Sequence, residues 1–239
     1  MKKLDEENIN LEKELDRELE LFKQLEFEQK VRIRRNKPEF IQKVKNNLNS
    51  KLPGKKAHDI MRTGPKIPNV VKYINKPPIP SAVLILLYPK NNTFNFILTL
   101  RSNKVESHKG QISLPGGVQE KKESLEQTAL REANEEIGVL PSIIELLGNL
   151  STIFIPFSGF NIYPYVGWAE SAPDLQVAED EVEKIIEVSV DELIDDTNQR
   201  KKNTTIRGVP VTMPYFNLNN EIVWGATSMI LSEFKEIIN

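Results

Sequence analysis

The sequence predicts an α+β protein whose main domain is a layered α/β/α structure, on the evidence of three features. Short apolar runs bounded by turn residues, typical of strands, occur from residue 81 onward. Two longer segments, at about 124–137 and 226–237, have the apolar period of helices. Strands and helices mix without regular strand–helix–strand alternation, which favours this class. An amphipathic N-terminal segment adds a helical extension.

The chain divides by composition into three regions. Residues 1–37 predict an amphipathic helical extension, which either forms a coiled coil or lies on the main domain. Its apolar positions have helical spacing: Leu4, Leu11, Leu15, Leu19, Phe22 and Leu25. Residues 38–80 form a basic, proline-rich segment, expected to be an extended linker that wraps the domain at 81–239. Its basic charge is either an ordinary solvated surface or a wall that attracts a phosphorylated substrate.

The composition narrows the possible chemistry. No cysteine is present, which excludes disulfides, thiolate metal sites and a cysteine nucleophile. The only histidines are His58 and His108, too few for a histidine-rich zinc site, whereas a hard cation held by carboxylates is compatible. A net charge of −2 gives no strong field towards nucleic acid or an acidic membrane.

The apolar segments are short. The longest run, Ala82 to Tyr88, falls far below the ~20 residues of a membrane-spanning helix. The N-terminus lacks the apolar stretch of a signal peptide. We therefore expect a cytoplasmic protein with a small-molecule substrate and no nucleic-acid or membrane partner. A homodimer is compatible with the helical extension.

The main domain is predicted to begin with a β-hairpin. Ala82 to Tyr88 is typical of a buried strand, the segment 89–92 has turn chemistry, and Phe94 to Leu100 returns as a second strand. Further strands are predicted near 144–154, 161–169, 185–190, 205–213 and 221–224, followed by the C-terminal helix.

A loop and a helix in the middle of the chain carry the strongest functional signal. The loop Pro115-Gly116-Gly117 precedes a helix predicted from about Ser124 to Ile137. Ser124 with Gln127 suits a capping box at its start, and Gly138 suits its C-terminal end.

Three carboxylates share one face of this helix. At 100° per residue, Glu132, Glu135 and Glu136 fall within an arc of about 100°, beside the apolar arc that packs on the sheet. Like charges at these spacings repel each other. A divalent cation would turn the repulsion into attraction, and Mg²⁺ prefers oxygen ligands and also binds substrate phosphates.

The full spacing resembles the Nudix box at every fixed position. The matching residues are Gly117, Glu123, Arg131, Glu132, Glu135, Glu136 and Gly138. The resemblance implies a Nudix fold with a mixed sheet between helices, and hydrolysis of a nucleoside diphosphate linked to another group. It implies Mg²⁺, with Mn²⁺ as a substitute, held by Glu132, Glu136 and Glu135, of which Glu135 is ligand or base. Arg131 would orient the carboxylates by pairing with Glu123, and Gly116 and Gly117 would approach metal or phosphate.

A second resemblance narrows the substrate. The segments Ile97 to Ser102 and Gly110 to Gly117 are similar to the motif of Nudix coenzyme A diphosphatases, which cleave coenzyme A to 3′,5′-ADP and 4′-phosphopantetheine. Segments near 52–58, 163–167 and 224–227 also resemble that family. Two positions depart from its pattern: Glu106 stands where arginine is usual, and Leu114 where phenylalanine is usual.

Four further residues are candidates for the site. Arg101 and Ser102 would bind the substrate, with the Arg101 guanidinium on a phosphate, although Arg101 also suits a surface arginine at a strand end. His108 is either a phosphate contact or an exposed histidine. Glu181, in an acidic loop, is the candidate to complete the metal site or activate water, or else is a solvated loop residue.

The predicted function is Mg²⁺-dependent hydrolysis of coenzyme A or an acyl derivative. Two alternatives stay open at this point. One is a Nudix hydrolase for NADH, a dinucleoside polyphosphate or a nucleotide sugar. The other is a non-catalytic nucleotide-sensing protein that uses its N-terminal helix to bind a partner.

Overall fold

The fold is taken from a computed structural model, which describes Arg17 and residues 38–64, 77–102, 110–156, 158–206 and 208–239. The chain separates into two compact units, Met1–Gln42 and Lys43–Asn239. The helical extension predicted for residues 1–37 lies outside the described residues except for Arg17. Within the described part, no helix is both long enough and apolar enough to cross a membrane.

The predicted hairpin is confirmed. Strand β1 spans Ile79–Lys90 and strand β2 spans Thr93–Arg101, in antiparallel pairing. Asn91 and Asn92 both have positive φ, 52° and 61°, the backbone of a tight two-residue hairpin turn. Asparagine tolerates this conformation better than other non-glycine residues, which is why the turn falls there.

The main sheet is mixed, as the resemblance implied. Strand β1 runs parallel to β7 (Phe160–Trp168) and antiparallel to β2 and to the short β4 (Gly116–Val118). The other members are β3 (Ile112–Ser113), β5 (Glu145–Asn149), β6 (Ile153–Ile155) and β8 (Val182–Ser189). The fold is α+β.

One long helix, α3 (Leu125–Ile137), packs on this sheet through its apolar arc. Ala129, Ala133 and Ile137 are fully buried against alternate residues of β1, among them Leu84 and Leu86. Burying a side chain such as Ile137 contributes about 1.5–3 kcal/mol. The small alanines bring the helix close to the strand, so the adjoining acidic face lies at the sheet margin.

A second, three-stranded sheet corrects one prediction. The single strand expected at 205–213 was wrong: β9 (Gln199–Ile206) and β10 (Val209–Leu218) form a hairpin, joined in turn to β11 (Glu221–Val223). Gly208, with φ of 80°, lies in the connecting turn. An apolar residue on each side of the turn gave the appearance of one continuous strand. A short helix, α4 (Val190–Ile194), precedes this sheet.

The segment 38–80 is not simply extended. It contains two helices, α1 (Glu39–Leu48) and α2 (Lys55–Ile60). Its first prolines, Pro38 and Pro53, lie just before the helices, where a missing N–H costs no helical hydrogen bond. Whether this segment wraps the domain stays a prediction.

The C-terminal helix, α5 (Gly225–Ile238), confirms the last predicted element. Its final carbonyls accept hydrogen bonds from α1: Lys43 Nζ donates to Ile238 O at 3.3 Å, and Asn47 Nδ2 donates to Ile237 O at 2.7 Å. These donors satisfy orphan carbonyls of the last helical turn.

Candidate active site

The start of α3 is fixed by local hydrogen bonds that the sequence predicted. Ser124 Oγ accepts from the backbone of Gln127 at 3.2 Å, and the Gln127 side chain accepts from the Ser124 N–H at 2.7 Å. Gly138 ends the helix in the left-handed conformation, with φ of 75°. Both ends of the helix are therefore set by its own sequence.

The predicted loop Pro115-Gly116-Gly117 is in part strand β4, and its two glycines lie against the acidic face. A Cβ on Gly116 would lie 2.3 Å from the carbonyl oxygen of Ala82. A Cβ on Gly117 would lie 2.3 Å from Glu132 Oε1, so only glycine lets this carboxylate occupy its position. Val118, the last residue of β4, is 44% exposed, so this end of the strand lies at the surface of the protein.

Glu136 is the buried member of the acidic face. It is 2% exposed, and its Oε2 accepts from the Gly116 N–H at 3.3 Å. Arg101 Nη1 lies 3.6 Å from its Oε1. Burial, together with the charge of Glu132, raises the pKa of Glu136 to about 8, against the opposing effects of the Gly116 N–H and Arg101.

The other two glutamates share one cation. Arg131 Nη1 donates to Glu132 Oε1 at 2.9 Å and to Glu135 Oε2 at 2.7 Å. The Glu132 side chain is 13% exposed and that of Glu135 is 55% exposed. Burial raises the pKa of Glu132; Arg131 opposes this, and the charges of Glu135 and Glu181 add to it.

Arg131 is anchored by Glu123, as the resemblance implied. Its Nε and Nη2 donate to the two Glu123 oxygens at 3.1 and 3.0 Å, a bidentate pair. The hydrogen bonds from Arg131 lower the pKa of Glu123 to about 2, with help from the Glu120 N–H and the Thr128 hydroxyl. A carboxylate at the helix start thus holds the arginine that pairs with Glu132 and Glu135 further along the helix.

The end of β2 carries the predicted substrate residues. The pairing of β2 with β8 shifts register between Leu100 and Arg101, a bulge that redirects the following side chain. The Arg101 N–H donates to Gln111 O at 3.0 Å, and the buried Ser102 donates its N–H to Glu181 O at 2.9 Å. His108, like Glu106, lies outside the described residues.

A loop clamped on the C-terminal turn of α3 carries Glu181. The Gln176 N–H donates to Ile137 O at 3.0 Å, and the Ala178 N–H donates to Glu136 O at 3.2 Å. Glu181 is exposed, and its negative charge contributes to the raised pKa of both Glu132 and Glu136. The fold thus places a fourth carboxylate near the acidic face.

The donor set fits a hard divalent cation. It consists of oxygens only: the Glu136 carboxylate is buried, the Glu132 side chain is 13% exposed, and the missing Cβ of Gly117 leaves the space that Glu132 occupies. Across the part of the chain that the structure describes, no three His, Asp or Glu side chains form a group already arranged to hold a metal ion. Glu135 would have to leave Arg131 to join the other two.

Two contributions to the site were missed by sequence reasoning. Thr128, fully buried, donates its hydroxyl to Glu123 Oε1 at 2.8 Å and so fixes the anchor of Arg131. Gln176 and Ala178 act through backbone N–H groups, which leave no sequence signal. The sequence does carry one sign of the role of Thr128: it has a hydroxyl group on the buried arc of the helix, five residues after Glu123.

Comparison with known proteins agrees with this arrangement. A family model described as the NUDIX domain matches residues 78–207. Nudix hydrolase 3 of Caenorhabditis elegans is 31% identical over 66% of this chain and 72% of its own length. The uncharacterized Nudix hydrolase NudL of Photorhabdus laumondii is 30% identical over 59% of this chain and 75% of its own.

More distant similarities extend to plants and to solved structures. The mitochondrial Nudix hydrolase 15 of Arabidopsis thaliana is 30% identical over 63% of this chain, which spans 55% of that relative's length. A MutT/nudix family protein from Enterococcus faecalis gives a TM-score of 0.44 at 18% identity, covering 73% of this chain and 65% of that one.

The acid-bearing helix, the two glycines of β4 and these relatives define an enzyme that hydrolyses diphosphate bonds. More particularly, the chain belongs to the Nudix hydrolase family. The alternative of a non-catalytic sensor is therefore set aside.

Proposed function

We propose that this enzyme hydrolyses the diphosphate bond of coenzyme A or an acyl derivative, giving 3′,5′-ADP and 4′-phosphopantetheine. The observation that carries the chemistry is a pair of carboxylates, the buried Glu136 and the nearly buried Glu132, that lie against the two glycines of β4. The similarity of segments 97–102 and 110–117 to coenzyme A diphosphatases supports the substrate. Leu114 retains an apolar, buried side chain at the position where that family has phenylalanine.

Glu132 and Glu136 would hold Mg²⁺, or Mn²⁺ in its place, with Glu135 as a third ligand or as base. Such an ion, when bound, supplies charge neutralisation at the diphosphate and a water of lowered pKa. Arg131, fixed by Glu123, sets the direction of the Glu132 carboxylate. Backbone groups of Gly116 and Gly117 and the side chains of Arg101, Ser102 and His108 would bind the substrate.

The bond changes are those of an in-line displacement at phosphorus. The water oxygen bonds to one phosphorus as the bond from that phosphorus to the bridging oxygen breaks. A carboxylate takes the proton of the attacking water, and the bridging oxygen leaves with its electron pair on the other phosphate. Glu181 and Glu135 are the two candidates for that carboxylate, because both lie near Glu132.

One residue favours a second candidate substrate. Glu106 stands where coenzyme A diphosphatases usually have arginine, which removes a cation from the sequence before the two glycines. Other nucleoside diphosphate derivatives, such as NADH, a dinucleoside polyphosphate or a nucleotide sugar, have no 3′-phosphate for such a cation to bind.

A panel of diphosphate substrates with Mg²⁺, with products resolved by mass, tests the proposal. We expect 3′,5′-ADP from coenzyme A, no product with Glu136→Gln, and normal turnover with Glu126→Gln, which changes an exposed glutamate of the same helix. Faster cleavage of another diphosphate than of coenzyme A would select the second candidate. Normal turnover by Glu136→Gln would remove that residue from the mechanism.

A further inference from the structure

Arg101 has two properties that a surface arginine lacks. Its Nε–H is buried and, within the described ranges, has no hydrogen-bond partner. Its Nη1 faces Glu136 Oε1 at 3.6 Å, which is an ion-pair distance but too long for a good hydrogen bond. A buried donor without an acceptor costs about 1–3 kcal/mol, so this guanidinium is poorly satisfied where it stands.

The backbone that carries Arg101 is held on both sides. The Arg101 N–H donates to Gln111 O at 3.0 Å, the Arg101 carbonyl accepts from the Gly110 N–H at 3.1 Å, and the next N–H donates to Glu181 O at 2.9 Å. The bulge at Leu100 and Arg101 sets the direction of the side chain. Because its backbone is held and its Nε–H lacks an acceptor among the described residues, Arg101 can change partner by moving its side chain alone.

We propose that the Arg101 guanidinium exchanges between two partners: Glu136 in the ligand-free enzyme, and a phosphate oxygen of the substrate in the complex. In the first position it occupies the carboxylate that a divalent cation needs. In the second it gains the oxygen acceptors that its Nε–H lacks, because guanidinium binds phosphate through two parallel hydrogen bonds.

The exchange couples metal binding to anion binding. A cation that takes Glu136 displaces the positive charge of Arg101, and a phosphate that takes Arg101 frees Glu136. By linkage each ligand must then strengthen the binding of the other. Without this arginine the metal would bind more tightly to the empty site, and the substrate would bind more weakly.

Titration of the substrate-free protein with Mn²⁺, followed by electron paramagnetic resonance or calorimetry, tests the proposal. Arg101→Gln and Arg101→Met, which both remove the charge, should lower the Mn²⁺ dissociation constant by roughly two- to fivefold, the effect of losing a partly exposed ion pair. The same variants should raise the KM for the diphosphate that the wild type cleaves. Arg101→Lys keeps a cation near Glu136 and should leave Mn²⁺ affinity close to that of the wild type.

Arg62→Gln is the matched control, because it breaks an arginine–carboxylate pair with Asp59 just after α2. It should change neither quantity. Unchanged or weaker Mn²⁺ binding in the folded Gln and Met variants would overturn the proposal, since a purely structural arginine predicts that result. The exchange rests on the proposed function for Glu136 as a metal ligand and for the identity of the anion. If the Arg101→Gln and Arg101→Met variants bind Mn²⁺ more tightly but the wild type does not cleave coenzyme A, the exchange is supported and coenzyme A is rejected as the substrate.

Discussion

At the scale of single residues, the site is made by close approach between groups that normally avoid each other. Glu136 is buried beside a second carboxylate, and its pKa rises to about 8 for that reason. Glu132 lies where the Cβ of any residue other than glycine at 117 would be. An arrangement that costs free energy in the metal-free protein is expected where a cation completes the structure.

Gly117→Ala isolates this close approach. Gly117 does not have the left-handed backbone conformation, so alanine adds a methyl group 2.3 Å from Glu132 Oε1 without backbone strain. We expect Mn²⁺ affinity and kcat to fall at least tenfold, while the free energy of unfolding changes by less than about 1 kcal/mol. Metal titration and denaturant unfolding measure the two effects. Full Mn²⁺ affinity in this variant would show that Glu132 holds no metal.

At the scale of elements, α3 and the loop that follows β7 act together. The loop donates two N–H groups to the last carbonyls of the helix and so holds Glu181 near the acidic face. Gly138 allows this contact, because a Cβ there would lie 2.9 Å from Gln176 Cβ. Its φ of 75° also disfavours other residues.

Gly138→Ala should therefore lower both stability and turnover. We expect a loss of about 1–2 kcal/mol from the left-handed backbone, and in addition a reduced kcat as the loop and Glu181 shift. Gly208→Ala is the control, because its φ is 80° and no atom lies within 4 Å of the added Cβ. Denaturant unfolding and steady-state kinetics compare the two. Equal kcat in both variants would contradict a role for the loop position.

A buried carboxylate on α5 joins α2 to the segment between β5 and β6. Glu233 is fully buried and accepts from the Gly54 N–H at 2.8 Å, from Ser151 Oγ at 2.7 Å and from the Ser151 N–H at 3.0 Å, and it pairs with His58 Nε2 at 2.8 Å. Burial acts to raise its pKa, but the hydrogen bonds from His58, Ser151 and Gly54 outweigh it, and the pKa is lowered.

Glu233→Gln should destabilise the protein by about 1–3 kcal/mol at neutral pH. Because the folded-state pKa lies below the unfolded value, the stabilisation by Glu233 is present above pH ~4.5 and is lost as pH falls through the folded pKa. The unfolding midpoint of the wild type should drop over that acidic range more steeply than that of the variant. Glu236→Gln, an exposed change on the same helix, should follow the wild type; identical acid limbs for wild type and Glu233→Gln would contradict the assignment.

At the scale of the whole molecule, the sequence predicted what local rules determine. The ends of α3 follow from Ser124, Gln127 and Gly138, and its acidic face follows from the helical period. Strand partners and contacts between distant segments have no such local rule, which is why the hairpin at Gly208 and the backbone contacts of Gln176 were missed. Helices α1 and α2 were missed because a high proline content predicts extended chain, whereas Pro38 and Pro53 lie just before the helices and do not interrupt them.

The site also differs from a simple cluster of ligands. The period of α3 correctly predicted that the three glutamates share a face, but it could not show that Arg131 holds two of them and Arg101 faces the third. Those arginines come from the helix itself and from the end of β2. Only the tertiary fold brings the second one to Glu136.

Anomalous diffraction from crystals soaked in Mn²⁺ tests the central claim most directly. We predict a peak within about 2–2.5 Å of carboxylate oxygens of both Glu132 and Glu136, with Arg101 moved away from Glu136. Crystals that show no peak there, with Glu132 still paired only to Arg131 and Glu136 only to Arg101 and the Gly116 N–H, would contradict it.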